Sequence, residues 1–431
     1  MSDTATIPKP PGWRPRFFTI WIGQAFSLVG STLAQFALVW WLTSTTGSAT
    51  VLAIGTLAAL LPEVILGPLV GTLVDRWNRR AVMIVADSAV AACAAWLVYL
   101  YATGAVQVWH IYLIMFARSI GGAFHWPAMQ ASTTLLVPEE HLARIAGINQ
   151  ALRGAINIIA PPIGALLLAV IPLHGVLAID VVTAALAVAT LFFVSIPEPV
   201  RAPAAPGKQG TSLWQEMAAG FRYLWSWPGL LAVVLMATLV NLLLKPAFAL
   251  VPILVTKHFG GAALELAWID SAAGIGIVAG GLLLGVWGGF RRRILTSLTG
   301  MIGLGAAMLL LGVAPASAFC LALAAVALVG GTISLIDGPL MAVLQASVAP
   351  DMQGRVFSLV GSLAAAMSPL GLAVAGPVAD AIGVQSWIIA SGIACVLTGL
   401  IGFLSPAITH LGERQPVLAP ATVPVDTGEY V

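Results

Sequence analysis

The chain has 431 residues, of which 59% are hydrophobic and only 8% are charged. Soluble domains are about 45–50% apolar and about 25% charged, so a soluble protein of this length could not bury its apolar side chains. The bilayer must therefore be the solvent for most of the chain. A net charge of +2 is too small to indicate a nucleic-acid partner, and the three cysteines have no disulfide or metal spacing. We expect neither a metal site nor a bound cofactor.

Twelve apolar segments follow one another, each near the length of about 20 residues that a membrane-spanning helix needs. They are residues 17–43, 50–74, 81–103, 109–136, 143–171, 176–196, 229–256, 265–289, 293–313, 317–348, 355–381 and 385–405. The prediction is an all-α integral membrane protein of twelve transmembrane helices in two six-helix bundles, 17–196 and 229–405. Polar tails are expected at 1–16 and 406–431. The linker 197–228 is expected to contain an amphipathic surface helix, Leu213–Trp227.

Lysine and arginine residues are distributed unevenly between the two sides of the predicted spans. If both termini are cytoplasmic, 15 of the 19 Lys and Arg residues fall on the cytoplasmic side. Lys257 alone falls outside, and Arg118, Arg153 and Lys245 lie within spans. Because cytoplasmic loops carry an excess of positive charge, the sequence predicts cytoplasmic tails and a cytoplasmic linker. The expected location is the plasma membrane, which in a bacterium is the inner membrane.

An internal repeat relates the two halves of the chain through a single shift of 212 residues. The matched positions are Arg79-Arg80 with Arg291-Arg292, His125 with Asp337, Pro127 with Pro339 and Met129 with Met341. Parallel repeats related by an axis along the membrane normal occur in transporters built from two six-helix halves. The repeat therefore predicts two pseudo-symmetric bundles.

Three motifs resemble those of a transporter family. The segment Gly71-Thr-Leu-Val-Asp75-Arg76-Trp-Asn-Arg79-Arg80 resembles the loop signature of the major facilitator superfamily, in which a second Gly stands where this chain has Asn78. The run that begins Arg118-Ser-Ile-Gly-Gly122 resembles the macrolide-efflux branch, which includes drug and siderophore exporters. The segment Ala160-Pro161-Pro162-Ile163-Gly164 resembles a Gly-Pro motif of exporters. The resemblance implies efflux by alternating access, coupled to inward proton flow.

Three residues within the spans are candidates for proton coupling: Glu63, Arg118 and Asp87. The resemblance implies this role for Arg118. Glu63 lies near mid-depth of the second span, where desolvation disfavours the charged form of a carboxyl group. The competing structural interpretation is that Glu63 and Arg118 simply pair. Asp180 falls near the outer end of the sixth span and is expected to be solvated.

Polar side chains recur at intervals of three or four on several spans, so that they share one helix face. The predicted substrate cavity is lined by Gln24, Ser31, Gln35, His125, Met129, Arg153, Asn157, Asn241, Lys245, Asp337 and Met341. His125 and Asp337 are expected to face each other across this cavity. The competing interpretations are polar contacts between helices and, for His125, an ordinary hydrogen-bonded interior histidine.

The resemblance also implies a cytoplasmic gate. Its predicted residues are Gly71, Asp75, Arg76, Arg79, Arg80 and Arg144. Asp75 is expected beside Arg144 and the start of the eleventh span near Gly354, because an acid is stabilised at a helix N-terminus. Under the shift of 212, the position equivalent to Asp75 in the second half is Trp287. The second half therefore has no matching acid, and the gate is expected to be asymmetric.

The expected partners are an amphipathic small molecule, protons and the bilayer, and the protein is expected to act as a monomer. Two alternatives remain on the same fold: a lipid or lysolipid translocator, and a nutrient importer. A membrane-bound enzyme is disfavoured, because the sequence has no Gly-x-Ser-x-Gly, His-Glu-x-x-His or phosphate-loop pattern.

Overall fold

The computed structural model describes residues 12–197, 221–349 and 352–411. The side chains of Pro68, Thr72 and Asp75 also lie outside the description. Most of the predicted tails and of the linker 197–228 therefore falls outside it, and of the predicted linker helix only its end is described, helical at 221–225. The described residues contain no β-strand, which confirms the all-helical prediction for this part of the chain.

Twelve helices longer than 20 residues make up the described structure. The first six are α1 Trp13–Thr46, α2 Ala49–Arg76, α3 Arg79–Ala102, α4 Val108–Leu136, α5 Glu139–Val170 and α6 Leu173–Phe193. The second six are α7 Pro228–Ala249, α8 Ala263–Trp287, α9 Arg293–Val313, α10 Phe319–Ser347, α11 Gln353–Ile382 and α12 Val384–Leu404, and a short α13, Pro406–Thr409, follows. Eleven of the twelve are long and apolar enough to cross a membrane. Helix α4 is long enough but is not among the eleven, and it carries Arg118 and His125.

Helices α1–α6 pack into one half and α7–α12 into the other. The pairings α2–α4, α3–α4 and α3–α6 of the first half recur as α8–α10, α9–α10 and α9–α12 in the second. Pro127 in α4 and Pro339 in α10 both lie inside their helices, as the repeat requires. The two halves meet mainly through α2 against α11 and α5 against α8.

Two ends of the bundle are distinguished by charge. The arginine-rich end is where α1 begins and α2 ends, and it carries Arg14, Arg16, Arg76, Arg79, Arg80, Arg291, Arg292, Arg293 and Arg355. The opposite end is where α1 ends and α2 begins, and it carries Lys257 just beyond α7.

Three apolar cores show how the halves are joined. The core at the opposite end contains buried residues of both halves, for example Leu42 and Val255. The two cores at the arginine-rich end each belong to one half: Phe17 lies in the core of the first half and Leu230 in that of the second. The halves are therefore packed together at the opposite end, and their cores are separate at the arginine-rich end.

Helix α7 departs from the single span predicted at 229–256. The regular helix ends at Ala249 and is followed by a short helical turn, Val251–Ile253, and a π-helix, Leu254–His258. Pro246 and Pro252 flank the break, and neither can donate a backbone hydrogen bond to the preceding turn. Lys257 therefore belongs to an irregular segment rather than to the regular end of the helix.

The turn between α2 and α3 is fixed by its own side chains. Asn78 caps α3, its side-chain oxygen accepting a hydrogen bond from the backbone N–H of Ala81 at 3.0 Å. This explains an amide side chain where the family pattern has Gly. Arg80 donates to the carbonyls of Leu191 and Phe192 in the last turn of α6 at 2.6 and 2.9 Å. Cations are favoured at helix C-termini, where carbonyls lack partners, so Arg80 joins helices within one half.

Candidate functional site

The larger of the two polar cavities lined by described residues has a volume of about 560 Å³ and lies among α1, α2, α4 and α5 of the first half. Its polar and aromatic lining consists of Trp21, Gln24, Glu63, Ser119, His125, Trp126, Gln130, Asn149 and Arg153. Met129 also lines it, and none of the described residues of the second half does so. We call it the wide cavity.

Two aromatic contacts shape the wall of the wide cavity. The indole N–H of Trp21 donates to the side-chain oxygen of Asn149 at 2.7 Å. The guanidinium carbon of Arg153 lies 3.6 Å from the centre of the Trp126 ring, which is a cation–π contact. These contacts hold two indoles at the cavity surface, where they offer flat apolar area to a ligand.

The second cavity, of about 380 Å³, lies nearer the opposite end, and we call it the deep cavity. The whole polar face of α1 lines it: Gln24, Ser27, Ser31 and Gln35. Asp87 of α3 and Arg118 of α4 complete its charged lining. Gln24, Ser119, Gly122 and His125 line both cavities, so the two cavities meet at these residues.

Asp87 lines the deep cavity and contacts two of the residues at this junction. The side-chain amide of Gln24 donates to Asp87 Oδ2 at 2.9 Å. Nε2 of His125 lies 3.4 Å from Asp87 Oδ1, and it is buried without a hydrogen bond among the described residues. A proton on His125 would convert this approach into an ion pair. The contact thus joins two groups that can each carry a proton: Asp87 lines the deep cavity, and His125 lines both cavities.

Arg118 pairs with Asp180 of α6, and not with Glu63. One oxygen of Asp180 accepts from Arg118 and the other accepts from the Ser31 hydroxyl at 3.0 Å. Arg118 also donates to the Ser31 carbonyl at 3.3 Å. The expectation that Asp180 is solvated is wrong, because its side chain is fully buried. Helix α6 begins at Leu173, three residues earlier than predicted, so Asp180 lies about 10 Å into the helix at 1.5 Å per residue.

Glu63 is exposed on the wall of the wide cavity rather than buried. The expectation of a desolvated carboxyl at this position is therefore wrong.

The predicted cavity residues of the second half do not meet those of the first. Lys245, Asp337 and Met341 are exposed, and Asp337 lies within electrostatic range of Lys245. Asn241 donates to the Ala237 carbonyl of its own helix at 2.9 Å. His125 is paired with Asp87 and not with Asp337, because the two halves are not packed together at this depth. Asn157 of α5 is exposed and lies outside both cavity linings.

The predicted gate residues are placed as follows. Gly71 is exposed, with open space around its Cα, and Arg144 is exposed. Arg79 donates to the Ala131 carbonyl of α4 at 3.2 Å, so Arg79, like Arg80, makes contacts within the first half. Arg76 is exposed. The side chain of Asp75, on which the predicted gate depends, lies outside the described residues.

Three functional candidates were not predicted from the sequence: Ser119, Gln130 and Asp180. Ser119 lines both cavities with a hydroxyl that is buried and unpartnered in the described structure, and Gln130 lines the wide cavity. The signal for Ser119 is its place beside Arg118. The signal for Asp180 is that an acid within the sixth span can compensate an arginine within the fourth. Among the described residues, no group of three or more His, Cys, Asp or Glu side chains could hold a metal ion.

Two repeated helical halves packed together at one end, with polar cavities and intramembrane charges in the first half, form the architecture of a major facilitator superfamily transporter. The structure is similar to a D-xylose–proton symporter, with a TM-score of 0.66 at 14% identity, covering 93% of this chain and 100% of that one. It is also similar to the human organic anion transporter MFSD10, with a TM-score of 0.58 at 19% identity, covering 91% and 100% of the two chains. At these identities the likeness shows the fold.

The sequence defines the family more closely. A family model described as transmembrane secretion effector matches residues 10–415, and the chain belongs to that family. It is 36% identical over 399 residues to macrolide efflux protein A of Streptococcus pyogenes, covering 92% of this chain and 97% of the relative. It is 27% identical over 398 residues to the multidrug efflux pump Tap of Mycolicibacterium fortuitum, covering 89% and 93%. The resemblance to the macrolide-efflux branch is thereby confirmed.

Proposed function

We propose that this protein exports an amphipathic small molecule, such as a drug, a macrolide-like or a siderophore-like compound, by alternating access coupled to proton entry. The efflux functions named for its relatives support this direction of transport. The observation that carries the coupling is the position of His125, which lines both cavities and contacts Asp87. A group shared in this way can respond to a ligand in one cavity and to a proton in the other.

In this proposal the arginine-rich end is cytoplasmic, as the positive-inside rule requires. All twelve long helices then cross the plasma membrane of a bacterium and both termini lie inside. The structure corresponds to an inward-open state, in which the wide cavity takes substrate from the cytoplasm or the inner leaflet. The protein acts as a monomer, uses no bound cofactor and takes its energy from the proton gradient. Asp75 holds the arginine-rich end closed in the outward-open state.

In this proposal the wide cavity binds the substrate and the deep cavity binds the proton. Trp21, Trp126 and Met129 offer apolar contact area to the substrate, and Glu63 and Arg153 offer charge. In the deep cavity, Asp87 and His125 carry the proton. When Asp87 is protonated it loses its attraction for His125, and the change at this shared histidine alters the wall of the wide cavity. Binding of a proton and binding of a substrate therefore influence each other, as reciprocal coupling between two sites demands.

Proteoliposomes with an imposed pH gradient test the proposal, with a radiolabelled macrolide as substrate. We expect Asp87→Asn to abolish macrolide-dependent proton movement, because an amide cannot take up the proton. Glu140→Gln is the matched control, since this carboxylate is 77% exposed and lines neither cavity. Wild-type proton movement in Asp87→Asn would remove Asp87 from the coupling site.

The same assay separates the alternatives. Lipid scrambling that does not depend on the pH gradient would favour a lipid or lysolipid translocator. Uptake of the solute together with protons, in the direction opposite to efflux, would favour an importer.

A further inference from the structure

The short turn between α1 and α2, residues Thr46–Thr50, is held by the other half of the molecule at the opposite end. The carboxylate of Asp380, near the end of α11, accepts hydrogen bonds from the backbone N–H of Ala49 at 2.8 Å and of Thr50 at 2.9 Å. It also accepts from the Ser48 hydroxyl at 2.8 Å. Ser48 is the N-cap of α2, so an acid of one half completes the cap of a helix in the other.

A second charge of the second half lies at the same turn. The Cε atom of Lys257 lies 3.7 Å from the position that a Cβ on Gly47 would take. Gly47 is the C-cap of α1, in the left-handed conformation. Helix C-termini carry partial negative charge and N-termini partial positive charge. Lys257 and Asp380 thus match the charges of the two helix ends that meet in this turn.

The backbones approach closely one helical turn before Asp380. A Cβ on Gly376 would lie 2.8 Å from the Cβ of Ala53 and 2.9 Å from the Cα of Thr50. Glycine is therefore needed for α11 to come near enough to α2 for the carboxylate of Asp380 to reach its N-terminus. The close backbone approach at Gly376 and the hydrogen bonds of Asp380 therefore both belong to the same contact between the halves.

The exposure of Asp380 and Lys257 to solvent allows this contact to break reversibly. Asp380 and Lys257 are both exposed. When the halves separate here, water can take over their hydrogen bonds, so opening leaves no buried unpaired charge. The Arg118–Asp180 pair differs, because both its partners are largely buried. A contact that forms between the halves and can break reversibly is what an alternating gate requires.

We propose that Asp380, assisted by Lys257, is the latch of the outer gate: it holds the opposite end closed by capping α2 and is released in each transport cycle. The proposal rests on alternating access by this protein. It assigns the single outward lysine a role in transport. With the expected Asp75 contact at the arginine-rich end, the α2–α11 pair carries an acid at the C-terminal end of each helix.

Distances between nitroxide labels test the latch in the full-length protein, in nanodiscs without substrate or gradient. The labels are placed at Ala105→Cys and Ser317→Cys, exposed loop positions of the two halves at the opposite end, after Cys93, Cys320 and Cys395 are replaced by alanine. A short distance between the labels means that the opposite end is closed, and a long distance means that it is open. We expect Asp380→Ala to lower the ratio of closed to open molecules about tenfold or more, the effect of losing one charge-assisted hydrogen bond. Asp380→Asn retains a hydrogen-bond acceptor and should lower this ratio less than Asp380→Ala does. Lys257→Gln should lower it less than Asp380→Asn does.

Glu265→Gln is the matched control. Glu265 also caps a helix N-terminus at this end, accepting from the Ala262 N–H at 2.8 Å, but within its own half. Its distance distribution should equal that of the unchanged protein. If Asp380→Ala fails to fold, Ser48→Ala keeps the carboxylate and removes the hydroxyl that donates to it and accepts from the Val51 N–H, and it should give a smaller shift of the same sign. Unchanged distances in folded Asp380→Ala, or in Ser48→Ala where that variant must serve, would overturn the latch. A shift in distances without any proton-coupled efflux would instead overturn the proposed function and leave the latch standing.

Discussion

Arg118 and Asp180 form a buried ion pair within the first half, with Asp180 fully buried and Arg118 largely so. Their contact joins α4 to α6 and is extended by Ser31 of α1, so that three helices share one ionic cluster. Breaking a buried ion pair leaves an uncompensated charge, and this costs more than the pair gained when it formed. The cluster therefore positions Arg118 on the wall of the deep cavity while it stabilises the first half.

A substitution at Asp180 should show this cost directly. We expect Asp180→Asn to destabilise the protein by about 3–5 kcal/mol, because Arg118 keeps its charge without a partner. The midpoint of thermal unfolding in detergent is the measurement. The double variant Arg118→Gln with Asp180→Asn should recover part of the loss. The exposed Glu140→Gln should lose no more than about 1 kcal/mol, the value of an acid in the first turn of a helix. Equal stability of Asp180→Asn and the unchanged protein would contradict the pairing.

At the scale of secondary structure, glycines allow pairs of helices to pack closely. At the crossing of α9 and α12, a Cβ on Gly305 would lie 2.6 Å from the carbonyl oxygen of Gly392 and 2.7 Å from the backbone nitrogen of Val396. Backbone atoms cannot rotate away as a flexible side chain can. Helices in lipid associate through such small-residue contacts, because no hydrophobic effect drives them together there.

Two alanine substitutions separate this packing from helix propensity. Gly305→Ala should destabilise the second half by about 1–3 kcal/mol, the typical cost of overpacking. Gly281→Ala in α8 has open space around it and is exposed, so it should be neutral or stabilising by up to about 1 kcal/mol. Unfolding midpoints of the two variants, compared in the same detergent, decide the matter. A loss of the same size in both would mean that the α9–α12 contact is looser than described.

The sequence predicted the helices well and their ends less well. Hydropathy locates each apolar segment, but α1 and α5 begin at Trp13 and Glu139, each four residues before the predicted span, because polar first turns can extend out of the hydrocarbon. The break after Ala249 could be suspected from Pro246 and Pro252, but not its π-helical form. The polar face of α1 followed from helical spacing alone, and the structure places all of it along one cavity.

At the scale of the whole molecule, the partners of charged groups were harder to predict, because they depend on how the two halves are arranged. The repeat placed His125 and Asp337 at equivalent depths, which makes them neighbours only when the two halves close around them. In the arrangement described, the halves are packed at the other end, so His125 contacts Asp87 of its own half. A repeat in sequence carries no information about which of two conformations the halves adopt.

Accessibility to a membrane-impermeant maleimide tests both the orientation and the open end. In the background lacking native cysteines, Gln130→Cys in the wide cavity should react from the cytoplasmic side, in inside-out vesicles, and be protected in right-side-out vesicles. Ser317→Cys at the opposite end should show the reverse. Both positions are exposed in the structure, so reagent access depends on the side alone. Equal labelling of Gln130→Cys from both sides would contradict an opening at the arginine-rich end.

The Arg118–Asp180 pair also has a consequence for the order in which the chain is made. Helix α4, which contains Arg118, is the one long helix in the described structure that is not apolar enough to qualify as a span. Its acidic partner is synthesised 62 residues later, in α6. An unpaired arginine at the centre of a membrane helix costs at least about 2.5–3.5 kcal/mol during insertion. Nascent chains that end before α6 should therefore hold α4 poorly in the bilayer, and the first half becomes a stable unit only when its sixth helix arrives.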